Sequence, residues 1–76
     1  MKSINVRLST IADVQEFVSI VAKSDIDIDL ISGRYVVDAK SIMGIFSLNL
    51  MAPIQLTAHS DDTDDLFAAL DRFIVK

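Results

Sequence analysis

Asp38-Ala39-Lys40-Ser41-Ile42-Met43-Gly44-Ile45-Phe46-Ser47-Leu48-Asn49-Leu50 is apolar at most positions after its serine. The Ser41 hydroxyl suits a helix N-cap, and Pro53 disfavours helical geometry in the residue before it. The spacing therefore predicts a short helix from Ser41 through about Leu50. On so short a helix Ile42, Met43 and Phe46 cannot all point inward alongside Ile45 and Leu48. Two readings stay open: ordinary core on a helix that is apolar nearly all round, or an exposed methionine and aromatic patch suited to adaptable contacts or self-association.

Outward from this stretch the pattern alternates between strands and helices. Ile4, Val6 and Leu8 alternate with Asn5 and Arg7, the period-2 signature of a half-buried strand. Ser9 or Thr10 can cap the helix that follows, and Ile11, Val14, Phe17, Val18 and Val21 form an apolar stripe over about 11–23. Asp25-Ile26-Asp27-Ile28-Asp29-Leu30 puts carboxylates on one face and apolar groups on the other. Ser32-Gly33 turns the chain into a return strand from Arg34 to Val37. Ile54, Leu56 and Ala58 mark a fourth strand. The run Ser60-Asp61-Asp62-Thr63-Asp64-Asp65 loads negative charge on the start of a last helix, where the dipole favours it. Its stripe is Leu66, Ala69, Leu70, Phe73 and Ile74, with Arg72 and Lys76 near its end. The order βαββαβα predicts an α+β open-faced β-sandwich: a four-stranded antiparallel sheet with three helices on one face.

The segment from Lys40 to Leu50 resembles the second-helix segment of HPr, the small phosphocarrier family of the bacterial sugar phosphotransferase system. The run Lys40-Ser41-Ile42-Met43-Gly44 is its densest part. The resemblance implies the same fold, a serine at position 41 that a dedicated kinase phosphorylates, and partner contacts at Ile42, Met43 and Phe46. Anchored on Ser41, the likeness extends back through Phe17-Val18 and Ile26 to Leu30. In that register the family's phosphorylatable histidine falls on Thr10, the arginine two residues later on Ala12, and the proline after it on Asp13.

That replacement matters chemically. A phosphohistidine carrier needs an imidazole nucleophile, a guanidinium for the phosphoryl oxygens, and free helix N-terminal amides. Thr10 and Ala12 supply neither side chain, and Asp13 repels an anion. His59, the sole histidine, lies on or just after the fourth strand, where a lone surface histidine is usually bland. The chain thus resembles the histidine-lacking members of the family, the catabolite-repression HPr-like proteins, which keep the serine and lose the carrier role.

Composition bounds the alternatives. With 76 residues the chain makes a single domain over 1–76, burying roughly 60% of its unfolded surface. It has no cysteine, so no disulfide or thiolate metal site staples it. A net charge of -4 with seven scattered Lys and Arg argues against nucleic acid. No stretch approaches the roughly 20 apolar residues of a membrane span, and Met1-Lys2-Ser3-Ile4 has no signal-peptide pattern, which makes cytoplasmic the expectation. Asp25, Asp27 and Asp29 lack the glycine and distal glutamate of a calcium loop, so they read as a solvated strand face. No cofactor motif or catalytic constellation emerges.

The expected function is a non-enzymatic regulatory or adaptor domain related to the phosphoenolpyruvate-dependent sugar phosphotransferase system, switched at Ser41. Its expected partners are proteins, an HPr kinase-like enzyme or a transcriptional regulator, or a second copy in a homodimer. Two alternatives remain. One is a phosphocarrier of that system using an atypical residue, His59 or Thr10; the other is a repurposed fold that binds proteins or itself.

Overall fold

Four short strands align their apolar residues across one antiparallel sheet in a computed structural model that describes residues 1–75. The chain runs β1 (Lys2–Val6), α1 (Ile11–Ala22), β2 (Ile28–Ser32), β3 (Tyr35–Asp38), α2 (Ile42–Phe46), β4 (Ile54–Ala58) and α3 (Asp64–Ala69), ending in a 3₁₀ turn at Asp71–Phe73. The sheet order is β1-β4-β2-β3, every neighbour antiparallel. It is the α+β sheet with three helices that the pattern predicts.

Register explains which face is dry. Ile4 pairs with Leu56, Leu56 with Leu30, and Leu30 with Val37, giving one apolar row across all four strands. Val6 with Ile54 and Ala58 with Ile28 make the rows on either side. Alternation sends the residues between them to the opposite face, where Ser3, Thr57, Asp29 and Asp38 form a polar row. Against the apolar face α1 buries Val14, Phe17 and Val21, α2 buries Ile45, and α3 buries Leu66. Phe17 meets Phe73 edge to face at 6.0 Å and 84°. Full burial of such a side chain contributes roughly 1.5–3 kcal/mol. These residues belong to one continuous core.

Several boundaries differ from the sequence expectation. The first strand spans Lys2–Val6 rather than Ile4 to Leu8; Leu8 is fully buried but sits in the loop, so its burial mimics a strand residue. Ile11 is exposed, because it opens α1 on the side away from the sheet. Asp25 and Asp27 precede β2, which starts at Ile28. Helix α2 stops at Phe46, well short of Leu50, where the Ser47 hydroxyl donates to the Gly44 carbonyl and the Ser47 N–H is also bonded to it. Helix α3 stops at Ala69, itself exposed, and the chain tightens so that Leu70 and Phe73 still reach the core. Lys76 lies outside the described residues. Among those residues no helix is long and apolar enough to cross a membrane.

Candidate functional site

The start of α1 is closed by its own side chains. Thr10 is extended (φ -132°, ψ 165°), which aims its hydroxyl at the helix; Oγ1 accepts the Asp13 N–H at 3.0 Å. Asp13 reaches back, its Oδ2 accepting the Ser9 N–H at 3.1 Å, a variant of the capping box. Its other oxygen accepts from Arg72 Nη2 at 2.8 Å, while Arg72 Nη1 donates to Glu16 at 2.8 Å. The same guanidinium lies 4.5 Å from the Phe73 ring centroid. The Ser9 amide and the Arg72 guanidinium therefore converge at this helix start, and the anion they hold is the Asp13 carboxylate. Ala12 is exposed and contributes no polar group.

The start of α2 is built alike and left open. Ser41 is extended, and its Oγ accepts the Gly44 N–H at 3.2 Å. The first turn of α2 carries no acid. A Cβ added at Gly44 would lie 3.2 Å from both Ser41 Oγ and the Val37 Cβ, so glycine keeps the serine uncrowded and lets α2 settle against β3. Lys40 is tied down: its Nζ donates to the Ser24 carbonyl at 2.7 Å, joining this corner to the end of α1. Ser41 itself is exposed.

Only part of the Ile42, Met43 and Phe46 patch faces outward. Ile42 is half-buried and packs against the core, one of the two readings its spacing left open. Met43 is 77% exposed and Phe46 40%, the former with no packing role. Within Lys40-Ser41-Ile42-Met43-Gly44 four residues thus serve the fold, as a tether, a cap, a core contact and a close approach. Met43 does not.

His59 follows β4 and pairs across the sheet's polar face with Asp29, Nε2 to Oδ2 at 2.7 Å. Asp27, Asp29 and Asp38 line the same shallow recess. Among the described residues no group of acids and histidine is arranged to hold a metal ion. Sequence reasoning misses both this pair and the Arg72 clamp. The first is legible once strand register is known, because positions 29, 57 and 59 share a face; the second joins positions 59 apart and has no local signal.

Comparison with known proteins agrees with the fold. Residues 13–76 match the PTS-HPr family, described as PTS HPr component phosphorylation site. The chain belongs to this HPr family of the phosphotransferase system. Two solved structures are similar over nearly the whole chain. One is the crystal structure of HPr-C-His from Thermoanaerobacter tengcongensis: 28% identity, TM-score 0.80, covering 95% of this chain and 89% of that one. The other is a phosphocarrier protein HPr from Bacillus anthracis str. Ames: 28% identity, TM-score 0.68, covering 95% and 93%. No curated protein matches this chain at a comparable level.

Proposed function

We propose that this chain is a non-enzymatic regulatory or adaptor domain of the HPr family, acting in the cytoplasm, that docks proteins through Met43 and Phe46 and is switched by phosphorylation of Ser41. The observation that carries the reading is the exposed Met43 beside an exposed serine cap: an apolar side chain that the fold does not use, next to a hydroxyl that a kinase can reach. A phosphoryl group there adds roughly -1.5 to -2 charges beside the apolar patch, at a helix start whose dipole favours anions. The domain stays folded while the surface changes from apolar to anionic. A kinase of the HPr-kinase type and a transcriptional regulator are the partners this surface suits.

The carrier role is set aside for a physical reason. In the register of the family resemblance the phosphohistidine position is Thr10, which has no imidazole, and the adjoining anion site is filled by Asp13. Incubation with an HPr kinase and ATP, followed by mass spectrometry, is expected to place phosphate on Ser41 and none on a Ser41→Ala variant. An unmodified chain, with an authentic HPr labelled in parallel, would sink the switch.

The His59–Asp29 pair favours a second reading, a phosphocarrier using an atypical residue. A carboxylate on one ring nitrogen makes the other more nucleophilic. Against it, Asp27 and Asp38 line the same recess and disfavour a phosphoryl group. Enzyme I and phosphoenolpyruvate are expected to leave the chain unlabelled; acid-labile phosphate on His59 would replace the leading reading.

A further inference from the structure

The two edges of the sheet are treated differently. On β1 the C-terminal segment lies along the edge: Val6 bridges to Ile74, the Val75 N–H donates to the Asn5 carbonyl at 2.8 Å, and the Arg7 N–H to the Phe73 carbonyl at 2.8 Å. On β3 nothing among the described residues covers the edge, and Tyr35 and Val36 are 68% and 62% exposed. An edge strand without proline or covering is a template for another strand.

Backbone geometry says which groups are free there. A two-residue loop, Gly33 (φ +60°) and Arg34, closes the hairpin at the Ser32–Tyr35 pair, which makes that pair the hydrogen-bonded kind. Alternation makes Leu30–Val37 the next such pair, and the Ala39 N–H duly donates to the Ile28 carbonyl beyond it. The backbone groups of Tyr35 and Val37 are therefore spent on β2, while those of Val36 and Asp38 and the Arg34 carbonyl point to the open edge. The Asp38 carbonyl already accepts the Ser41 N–H, so its N–H is the group left over.

We infer that this edge pairs with the same edge of a second copy of the chain, antiparallel about a two-fold axis at Val36, with Arg34 of each copy opposite Asp38 of the other. Val36 and Asp38 share one face of β3 and Arg34 stands in the turn at its start, so the edge reads cation, apolar, anion, a sequence complementary to its own reverse. Two Val36 residues exchange both backbone hydrogen bonds, and on either side an Asp38 N–H meets an Arg34 carbonyl. On the other face Tyr35 packs against Val37 of the second copy. Parallel pairing sets like charges opposite each other, and a two-residue slip leaves the charges unpaired, so the register is specified.

Charge balance supports the same partner. Among the described residues Arg34 makes no ion pair, and the Asp38 carboxylate accepts only the Lys40 N–H at 2.9 Å. Asp38 also sits directly opposite Asp29 on β2, a like-charge juxtaposition that an arriving guanidinium relieves. With one short strand from each copy the contact is small, and the dimer belongs to the weak, transient class.

Translational diffusion and amide shifts by NMR, up to about millimolar concentration, test the pairing. A slower-diffusing species is expected as concentration rises, with shifts confined to residues 34–38. Val36→Pro removes an N–H that the chain's own sheet does not use, so the variant is expected to fold and stay monomeric. Arg34→Glu, in an exposed turn, is expected to raise the dissociation constant about ten-fold by turning two attractions into repulsions. The double variant R34D/D38R is expected to pair with itself but not with the native chain. A chain monomeric throughout that range overturns the inference, and so does association unchanged by Arg34→Glu, which also decides the matter should Val36→Pro fail to fold.

Discussion

Both α1 and α2 start on a hydroxyl that accepts the N–H three residues on, at 3.0 and 3.2 Å. They differ in what that third residue is. Asp13 carries a carboxylate that folds back over the helix start and is clamped by Arg72, whereas Gly44 carries nothing. One residue type per site decides whether a carboxylate folds over the helix start or a serine is left reachable. Around the closed start the polar groups satisfy one another; beside the open one stands Met43, 77% exposed and without a packing role. The lesson is that two helix starts on one sheet can differ in what they present, since each depends on local side chains rather than on the shared sheet.

The largest expected effect tests the open site. Met43→Glu puts a charge where docking needs an apolar anchor, and kcat/KM for Ser41 phosphorylation by an HPr kinase is expected to fall about 30-fold, the size of an interface hot spot. Thermal unfolding is expected to change by under about 0.5 kcal/mol, as for any exposed position. A collapse of the fold would instead make Met43 a core residue and erase the contrast.

Capping energies come next. Thr10→Ala removes the cap of a helix of 12 residues and releases Asp13 from its partner hydroxyl; a loss of about 1 kcal/mol is expected, read as a Tm drop of about 4–8 °C. Ser41→Ala uncaps a helix of only five residues, held mainly by Ile45 and Ile42 against the core, so about half that loss is expected. Equal losses would mean that the two starts are mechanically alike and differ only in exposure.

How much of this is legible in the sequence follows from how local each determinant is. The Ser41 cap, the α1 stripe and the fourth strand depend on neighbours within a few residues, and the pattern places them well. Ile11 and Ala69 fit their stripes yet are exposed, because periodicity cannot say where a neighbouring element stops covering a helix. Periodicity also carries α2 too far, because Leu48 and Leu50 continue the apolar pattern in a non-helical segment after the Ser47 stop. Thr10 and Asp13 are legible as the cap and first turn of α1, but the reason this start is closed lies in Arg72, distant in sequence and brought there by the turn after α3.

Gly44→Ala sharpens the comparison at a smaller scale. In an exposed helix alanine is favoured over glycine by about 1 kcal/mol. Here the new Cβ would lie 3.2 Å from Ser41 Oγ and from Val37 Cβ, tight enough that both must shift. The two effects are expected to offset to within about 0.5 kcal/mol in urea denaturation, while phosphorylation of Ser41 slows as its hydroxyl is crowded. A full propensity gain would show that glycine is not needed for α2 to approach β3.

The smallest effect separates a carboxylate that closes a site from one that merely meets a cation. Asp61 accepts a hydrogen bond from the Met1 ammonium at 2.9 Å, which together with the ammonium's charge holds its pKa below the ordinary aspartate value. A lowered folded-state pKa means that the stabilisation is fully present above the unfolded-state value and is lost as pH falls through the folded-state value. The Asp61 side chain is 94% exposed, however, so salt and water screen the pair. NMR titration is expected to find the Asp61 midpoint displaced downward, with the displacement shrinking as salt is added, and Asp61→Asn leaving thermal stability unchanged within error. A measurable loss of stability in that variant would show that an exposed ion pair can matter here without any cap. The weight given to Asp13 would then rest on its Arg72 clamp rather than on its bond to the Ser9 amide.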